Sequence, residues 1–167
     1  ENQSLATLTV TGTDMSGFAP LVGGASTSLV TVNITDSTLN SDVCNTLGVC
    51  SDLAEFKVQN VAGVDFSLVF HAKSLTTLDL SQLDGSYDLS EMYNLRNLTT
   101  LRMSEVRGAS FEGVGAMPKL SVLSLYAVDT QDMSFIAKQT KLVEFSVGAC
   151  RPENFQHILN SMQDKVS

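Results

Sequence analysis

Apolar residues recur along the chain in a short motif, Leu-x-x-Leu-x-Leu with conservative substitutions, that is repeated seven times. In the first copy the three apolar positions are Leu5, Leu8 and Val10. The later copies begin at Leu29, Leu53, Leu75, Leu98, Leu120 and Leu142, which are 22 to 24 residues apart. All 21 motif positions are apolar, although apolar residues make up only 43% of the chain. A period of this length predicts a solenoid of stacked repeats.

The spacing within the motif predicts one β-strand per repeat. The second and third apolar positions are two residues apart, so they lie on the same face of a strand. The first leucine lies beneath the turn that leads into the strand. A single copy cannot bury its apolar residues alone, but stacked copies form a continuous core and bring their strands into a parallel sheet.

The segments between the strands carry only a few apolar residues, as in Phe66, Val69 and Phe70. We expect short 3₁₀ or single-turn helices there, on the convex side. The stripe at Phe155, Ile158, Leu159 and Met162 has helical spacing and predicts a capping helix over residues 151–167, after a repeat array over residues 1–150. No amphipathic segment precedes the first motif, so we expect either a frayed edge or further repeats there.

This motif resembles that of the leucine-rich-repeat superfamily over about residues 5–150. The segment Val128-Asp-Thr-Gln-Asp-Met-Ser-Phe-Ile-Ala137 is similar to the Asp-Ile-Ser-Pro-Leu-Ala half of the 22-residue repeats of internalins and of a phosphatase regulatory subunit. The resemblance implies an α/β-type solenoid. Its form would be a right-handed superhelix with about seven parallel strands on the concave face and 3₁₀ turns on the convex face.

The sequence departs from that family at one position. The asparagine that is usual eight residues after the first leucine is replaced by Val61, Leu83, Val106, Val128 and Cys150. An apolar row must therefore fill this part of the core. In the first repeat, the segment from Thr11 to Pro20 is also similar to the Gly-Thr-x-Val-Ser-Gly segment of promastigote surface antigens of kinetoplastid parasites.

The charge balance narrows the classes of partner. The net charge is −8 and the pI is about 4.5, whereas nucleic acids and anionic lipid surfaces require clustered lysine and arginine. We therefore expect no nucleic-acid partner and no direct membrane insertion, since no apolar run approaches the length of a membrane span. The two histidines, His71 and His157, lie near no plausible nucleophile, and no nucleotide or metal motif occurs. We expect no enzymatic activity, no cofactor and no metal.

Cysteines and glycosylation sequons indicate the cellular compartment in which the protein is found. Cys44 and Cys50 are close in a link that we interpret as loop-rich, and they form either a disulfide or two buried thiols. Cys150 falls in the apolar row and is interpreted as a core residue; the alternative is a partner for a cysteine outside the chain. Sequons occur at Asn2, Asn33 and Asn97. Together these features favour a secreted or cell-surface glycoprotein, with a cytoplasmic protein as the alternative.

The residues that alternate with the buried strand positions point to the concave surface, where solenoids usually bind ligands. The first two strands carry mostly small neutral residues, whereas later strands carry Arg102 and Tyr126, residue types that dominate interface hot spots. The predicted contact residues are Glu55, Lys57, Gln59, Asp79, Ser81, Arg102, Ser104, Ser124, Tyr126 and Glu144. The alternative is that they are only solvated strand residues.

Three functions remain open at this point. The first is recognition of a protein, or of a glycan, by an extracellular or surface-displayed domain. The second is an intracellular regulatory or scaffold subunit, and the third is a structural or immune-decoy surface coat without a specific ligand. A convex or edge site is also compatible with the pattern, as is a monomer or a dimer that pairs through the open N-terminal edge.

Overall fold

A computed structural model describes residues 5–17, 28–62, 66–83, 89–106, 111–128, 133–150, 155–156 and 159–160. Seven parallel strands in these residues form one sheet in chain order. They are β1 (Thr7–Thr11), β2 (Thr31–Thr38), β3 (Glu55–Ala62), β4 (Thr77–Leu83), β5 (Thr100–Val106), β6 (Val122–Tyr126) and β7 (Glu144–Gly148). In the described parts of the connections there are four 3₁₀ helices, at Phe66–His71, Ser90–Asn94, Glu112–Ala116 and Ser134–Lys138. The predicted leucine-rich-repeat solenoid is confirmed.

The strands are paired so that equivalent motif positions meet across the sheet. Leu78, Leu101 and Leu123 are direct neighbours on β4, β5 and β6, and the third motif positions form a second row beside them. These rows are buried from repeat to repeat in one continuous core. A one-residue slip of any strand would turn its apolar set outward, so burial of one face fixes the register.

The link between β2 and β3 differs from the prediction, because it contains a helix, α1 (Ser41–Gly48), rather than a loop. Asn40 caps this helix, and its side-chain oxygen accepts a hydrogen bond from the Val43 backbone N–H at 2.9 Å. Asp42 lies in the first turn, where a carboxylate complements the helix dipole. Asn40 followed by an apolar residue at helical spacing is a recognisable helix start.

The disulfide predicted between Cys44 and Cys50 is not present in the structure. Cys44 lies on the buried side of α1, whereas Cys50 follows the helix and donates its thiol to the Thr46 carbonyl at 3.3 Å. Burial, together with the nearby Asp52 carboxylate, raises the pKa of the Cys50 thiol. Both thiols are therefore small core groups, which is the alternative that the spacing left open.

Every repeat has one residue in the left-handed region of backbone conformation, two residues after the third apolar position of its motif. These residues are Gly12, Asp36, Asn60, Gln82, Glu105, Ala127 and Ala149, with φ between 49° and 61°. The left-handed residue turns the chain so that the next side chain points into the core. This turn explains how an apolar row can replace the asparagine row: Val61, Leu83, Val106 and Val128 are buried, and Cys150 is half-buried.

A row of hydroxyl groups joins the repeats at the other end of the strands. Thr76, Thr99 and Ser121 each donate their side-chain hydroxyl to a backbone carbonyl of the preceding repeat, at 3.0–3.1 Å. The same carbonyls also accept two backbone N–H groups of the following repeat, as Thr99 does from Ser121 and Val122. Polar groups at the entrance to each strand are therefore satisfied by the next repeat.

The predicted capping helix lies mostly outside the described residues. Residues 155–156 and 159–160 have helical backbone, and Phe155 packs, partly buried, against the core. The apolar side chains of β7 are only partly buried, in contrast to those of β3 to β6. A cap over this end of the array stays a prediction.

Candidate functional site

The ten predicted contact residues share one face of the sheet, because they alternate with the buried positions of β3 to β7. The strand register arranges that face in three rows that run across the strands. The first row is Glu55, Thr77, Thr100, Val122 and Glu144; the second is Lys57, Asp79, Arg102, Ser124 and Ser146; the third is Gln59, Ser81, Ser104, Tyr126 and Gly148. We call this surface the concave face. That it binds a ligand stays a prediction.

Charges of alternating sign meet in the second row. Asp79 is paired in register with Lys57 on one side and with Arg102 on the other. Lys57 also lies 3.8 Å from the Glu55 carboxylate, measured between Nζ and Oε2. Burial raises the pKa of Asp79, and the positive charges of Arg102 and Lys57 only partly offset that effect. The row therefore presents fixed charges of both signs within a few strand spacings.

A cleft of about 290 Å³ opens on the concave face beside this row. Its polar lining consists of Asn33, Lys57, Gln59, Asp79 and Ser81, together with Thr35. The Asn33 side-chain oxygen is buried in the wall of the cleft without a hydrogen-bond partner. A buried acceptor without a donor costs about 1–3 kcal/mol, and a water molecule or a donor group of a ligand can satisfy it.

Tyr126 is 54% exposed, and its ring lies over β7. Gly148 makes this possible, because a Cβ atom there would lie 2.9 Å from the ring carbon Cδ2 of Tyr126. The position of the ring could be predicted from the sequence only if the strand register were known, because it requires a glycine on one strand to pair with a tyrosine on the neighbouring strand. An exposed, flat aromatic ring is a typical interface anchor.

Two of the three sequons lie in the described residues, and both asparagines have constrained surroundings. The Asn33 amide oxygen is buried on the concave face, as described above. Asn97 donates its amide to the Lys73 carbonyl at 2.8 Å and accepts from the Lys119 ammonium at 2.7 Å. A glycan on Asn97 would have to share its nitrogen with that hydrogen bond. Asn2 lies outside the described residues, and glycosylation stays a prediction.

The remaining chemistry of the described residues is sparse. His71 ends a 3₁₀ helix on the convex side, with its Nε2 atom 3.9 Å from a Glu91 carboxylate oxygen, and His157 lies outside the described residues. No group of three or more His, Cys, Asp or Glu side chains in the described ranges is placed to hold a metal ion. Within those ranges, no helix has the length and apolarity needed to cross a membrane.

Asp79→Asn is expected to leave the fold intact and to raise its stability slightly at neutral pH. The folded-state pKa of Asp79 is raised by burial, so the folded protein binds its proton more tightly than the unfolded chain does. Stability from this group is therefore fully present below its unfolded pKa of about 3.9 and is lost as pH rises through the raised folded value. Urea unfolding of both proteins across pH 3–8 measures this, and an advantage of the Asn variant that grows in acid would contradict it.

Comparison with solved structures shows which solenoids share this fold. Internalin C2 of Listeria monocytogenes matches 89% of the chain with a TM-score of 0.64 and 15% sequence identity. The Listeria monocytogenes internalin inlF matches 96% of the chain with a TM-score of 0.63 and 16% identity. The chain spans 65% and 52% of the lengths of these two proteins, respectively. No protein-family model matches the sequence. A search of curated proteins gives no match either.

These likenesses establish the fold as a leucine-rich-repeat solenoid of the internalin-like form. The seven parallel strands and the short 3₁₀ connections agree with it. At 15–16% identity the comparisons carry information about the backbone and not about the ligand. The identity of any partner must therefore be argued from the surface of this chain.

Proposed function

We propose that the chain is a recognition module that binds a protein ligand through its concave face. The observation that carries this proposal is the row on the concave face in which Asp79 pairs in register with Lys57 and Arg102, together with the exposed ring of Tyr126 on the same face.

The concave face combines the elements of a protein-binding surface in a small area. Tyr126 offers an exposed ring, Arg102 offers a planar cation, and the Asp79 carboxylate lies next to Arg102 on the neighbouring strand. Tyrosine and arginine carry much of the binding energy in known interfaces. Because all three side chains project from a hydrogen-bonded sheet, the backbone that carries them loses little conformational entropy on binding.

An extracellular or surface location forms part of the proposal. It rests on the sequons, above all on Asn33-Ile34-Thr35, which lies on an accessible strand of the concave face. A glycan at Asn33 would cover the N-terminal part of that face and would shift binding toward β4 to β7. Intact mass of the natively expressed protein, before and after enzymatic deglycosylation, measures whether the sequons are occupied.

One observation favours a second candidate, an intracellular regulatory subunit. Cys44 and Cys50 are not joined by a disulfide, and both are buried in the core. A reducing compartment would keep them in that state. The same mass measurement separates the candidates, since an unglycosylated protein with three reactive thiols after unfolding would favour the intracellular role.

The double variant Arg102→Glu/Tyr126→Ala is expected to weaken protein binding at least about tenfold, because it reverses one anchor charge and removes the exposed ring. The probe is a set of peptides selected for binding to the wild-type protein from a random displayed library. Affinity of the purified peptides for each variant is measured by titration calorimetry.

The control is Tyr93→Ala/Asn45→Asp, which removes another exposed tyrosine ring and adds one negative charge on the convex side. The control should bind the peptides with unchanged affinity. Circular dichroism confirms that both variants are folded. Peptides that bind the Arg102/Tyr126 variant as tightly as the wild type would refute a concave site.

A further inference from the structure

Positive charge is concentrated in the turns that lead into β4 to β7. The four segments 71–76, 94–99, 116–121 and 138–143 contain five of the ten lysines and arginines of the chain, together with His71, and no aspartate or glutamate. The five residues, which we call the basic edge, are Lys73, Arg96, Lys119, Lys138 and Lys141, and all of them are exposed. This is a local reversal of sign in a protein whose net charge is −8.

The opposite edge of the solenoid, where the strands end, carries negative charge. Three exposed carboxylates lie at this edge. Asp14 follows β1, Asp36 lies in β2 and Glu105 lies in β5. In the described residues of these turns no lysine or arginine occurs. Among the described residues, the five cations and these three carboxylates therefore lie on opposite edges of the sheet, and Glu91 is a carboxylate beside the basic edge, with an oxygen 3.9 Å from His71 Nε2.

A cleft of about 320 Å³ lies on the basic edge, lined by His71, Lys73, Asn94, Arg96 and Asn97. At this cleft the Nε2 atom of His71 lies 3.9 Å from a carboxylate oxygen of Glu91, a contact that is ionic only when the imidazole is protonated. No carboxylate of a described residue lies within 4.0 Å of the Lys73 or Arg96 cation. The cleft therefore holds uncompensated positive charge beside amide groups that can donate hydrogen bonds.

Hydrogen bonds of the Asn97 side chain hold three of these turns together. Asn97 donates to the Lys73 carbonyl of the preceding repeat and accepts from the Lys119 ammonium of the following repeat. Three consecutive repeats are thus tied together at the point where their cations emerge. Because neighbouring strands are about 4.8 Å apart, the row from Lys73 to Lys141 spans roughly 14 Å along the sheet.

We propose that the basic edge binds a linear sulfated polysaccharide, with one sulfate group seated in the cleft between Lys73 and Arg96. A row with one cation in each of the first three turns and two in the last suits a single narrow chain with anionic groups spaced along it. The Arg96 guanidinium and the lysine ammonium donate charge-assisted hydrogen bonds to sulfate oxygens. A nucleic-acid duplex is broader, and the acidic remainder of the surface opposes it. This site is separate from the concave face and does not depend on the proposed function.

The test is titration calorimetry of the full chain with a size-defined heparin octasaccharide at low ionic strength. The wild-type protein should bind it, and affinity should fall as salt is added. Lys73→Gln/Arg96→Gln should weaken binding at least about tenfold, because two cations that contact the sulfate are lost. The control Gln82→Glu/Ala127→Asp gives the same change in net charge on the opposite edge and should alter affinity by no more than about twofold.

Two further ligands make the result specific. The same octasaccharide with its sulfates removed should not bind, and a single-stranded oligonucleotide of equal charge should bind at least about tenfold more weakly. The proposal is overturned by absence of octasaccharide binding to the wild type, by equal loss in both double variants, or by equal affinity for the oligonucleotide. Melting curves of all variants establish that they are folded.

Discussion

Leu101→Ala is expected to lower the free energy of unfolding by about 2–5 kcal/mol, the range for a fully buried leucine in a well-packed core. The Leu101 side chain is 0% exposed, and it is the direct neighbour of Leu78 and Leu123 in the central row of the sheet. Its removal leaves a cavity that both adjoining repeats line. Urea unfolding followed by far-ultraviolet circular dichroism measures the loss.

The position of Leu101 also predicts the form of the unfolding curve. A solenoid is stabilised by contacts between nearest neighbours, so a weak central rung can uncouple the two halves. We therefore expect a broadened or two-step transition. The control Leu5→Ala, at a side chain that is 39% exposed in the first repeat, should cost less than about 1 kcal/mol and keep a single transition. A loss of similar size at both leucines would contradict this view of the core.

Gly48→Ala is expected to destabilise the fold by about 2–3 kcal/mol through overpacking, although alanine is the better helix former. Gly48 ends α1 where the helix meets the 3₁₀ helix Phe66–His71 of the next repeat. A Cβ atom added there would overlap the Leu68 carbonyl oxygen and lie 3.0 Å from its carbonyl carbon. Both atoms belong to the backbone, so α1 must move away from the neighbouring repeat.

Alanine variants at two other glycines give a scale of expected destabilisation against which Gly48→Ala can be compared. A Cβ atom at Gly113 would lie 2.5 Å from the Ser90 carbonyl oxygen, whereas one at Gly17 would meet no atom within 4 Å. Thermal unfolding should therefore rank the alanine variants as Gly48 least stable, then Gly113, with Gly17 within about 0.5 kcal/mol of the wild type. A stable Gly48→Ala protein would show that the contact between α1 and the next repeat is loose.

The strands, the buried rows and the concave rows could be predicted from the sequence because each depends on a period. The 22–24-residue repeat fixed where strands begin, and the two-residue alternation within each strand separated Leu101 from Arg102. The replacement of asparagine by Val61 and Leu83 correctly indicated an apolar row. The same periodicity placed all ten proposed contact residues on one face.

Features that depend on local backbone conformation were missed. The left-handed position is held by Asp, Asn, Gln, Glu, Ala and Gly in different repeats, so residue type gives no consistent signal there. Asn40 is a residue type that commonly begins a helix, but the link was interpreted as loop-rich and α1 was not predicted. The Cys44–Cys50 pairing failed for a related reason, since sequence spacing does not show that the Cys50 thiol turns toward Thr46.

The basic edge was missed because net charge was considered for the whole chain. Averaging over 167 residues gives −8 and argues against any polyanionic ligand, whereas the repeat register gathers five cations in equivalent turns. The hydroxyl row was missed in a similar way. Thr76 and Thr99 suit a strand in any sheet, and only stacking shows that their hydroxyls bond the preceding repeat. Repeat proteins therefore need to be examined by equivalent position as well as along the chain.

Recognition through the concave face can be followed residue by residue by nuclear magnetic resonance. Amide and side-chain signals of the labelled protein are followed as a library-selected peptide is added. We expect the largest shifts on Lys57, Asp79, Arg102 and Tyr126 and on their strand neighbours. Shifts confined to the 3₁₀ helices at Phe66–His71 and Ser90–Asn94, with the concave rows unchanged, would contradict it.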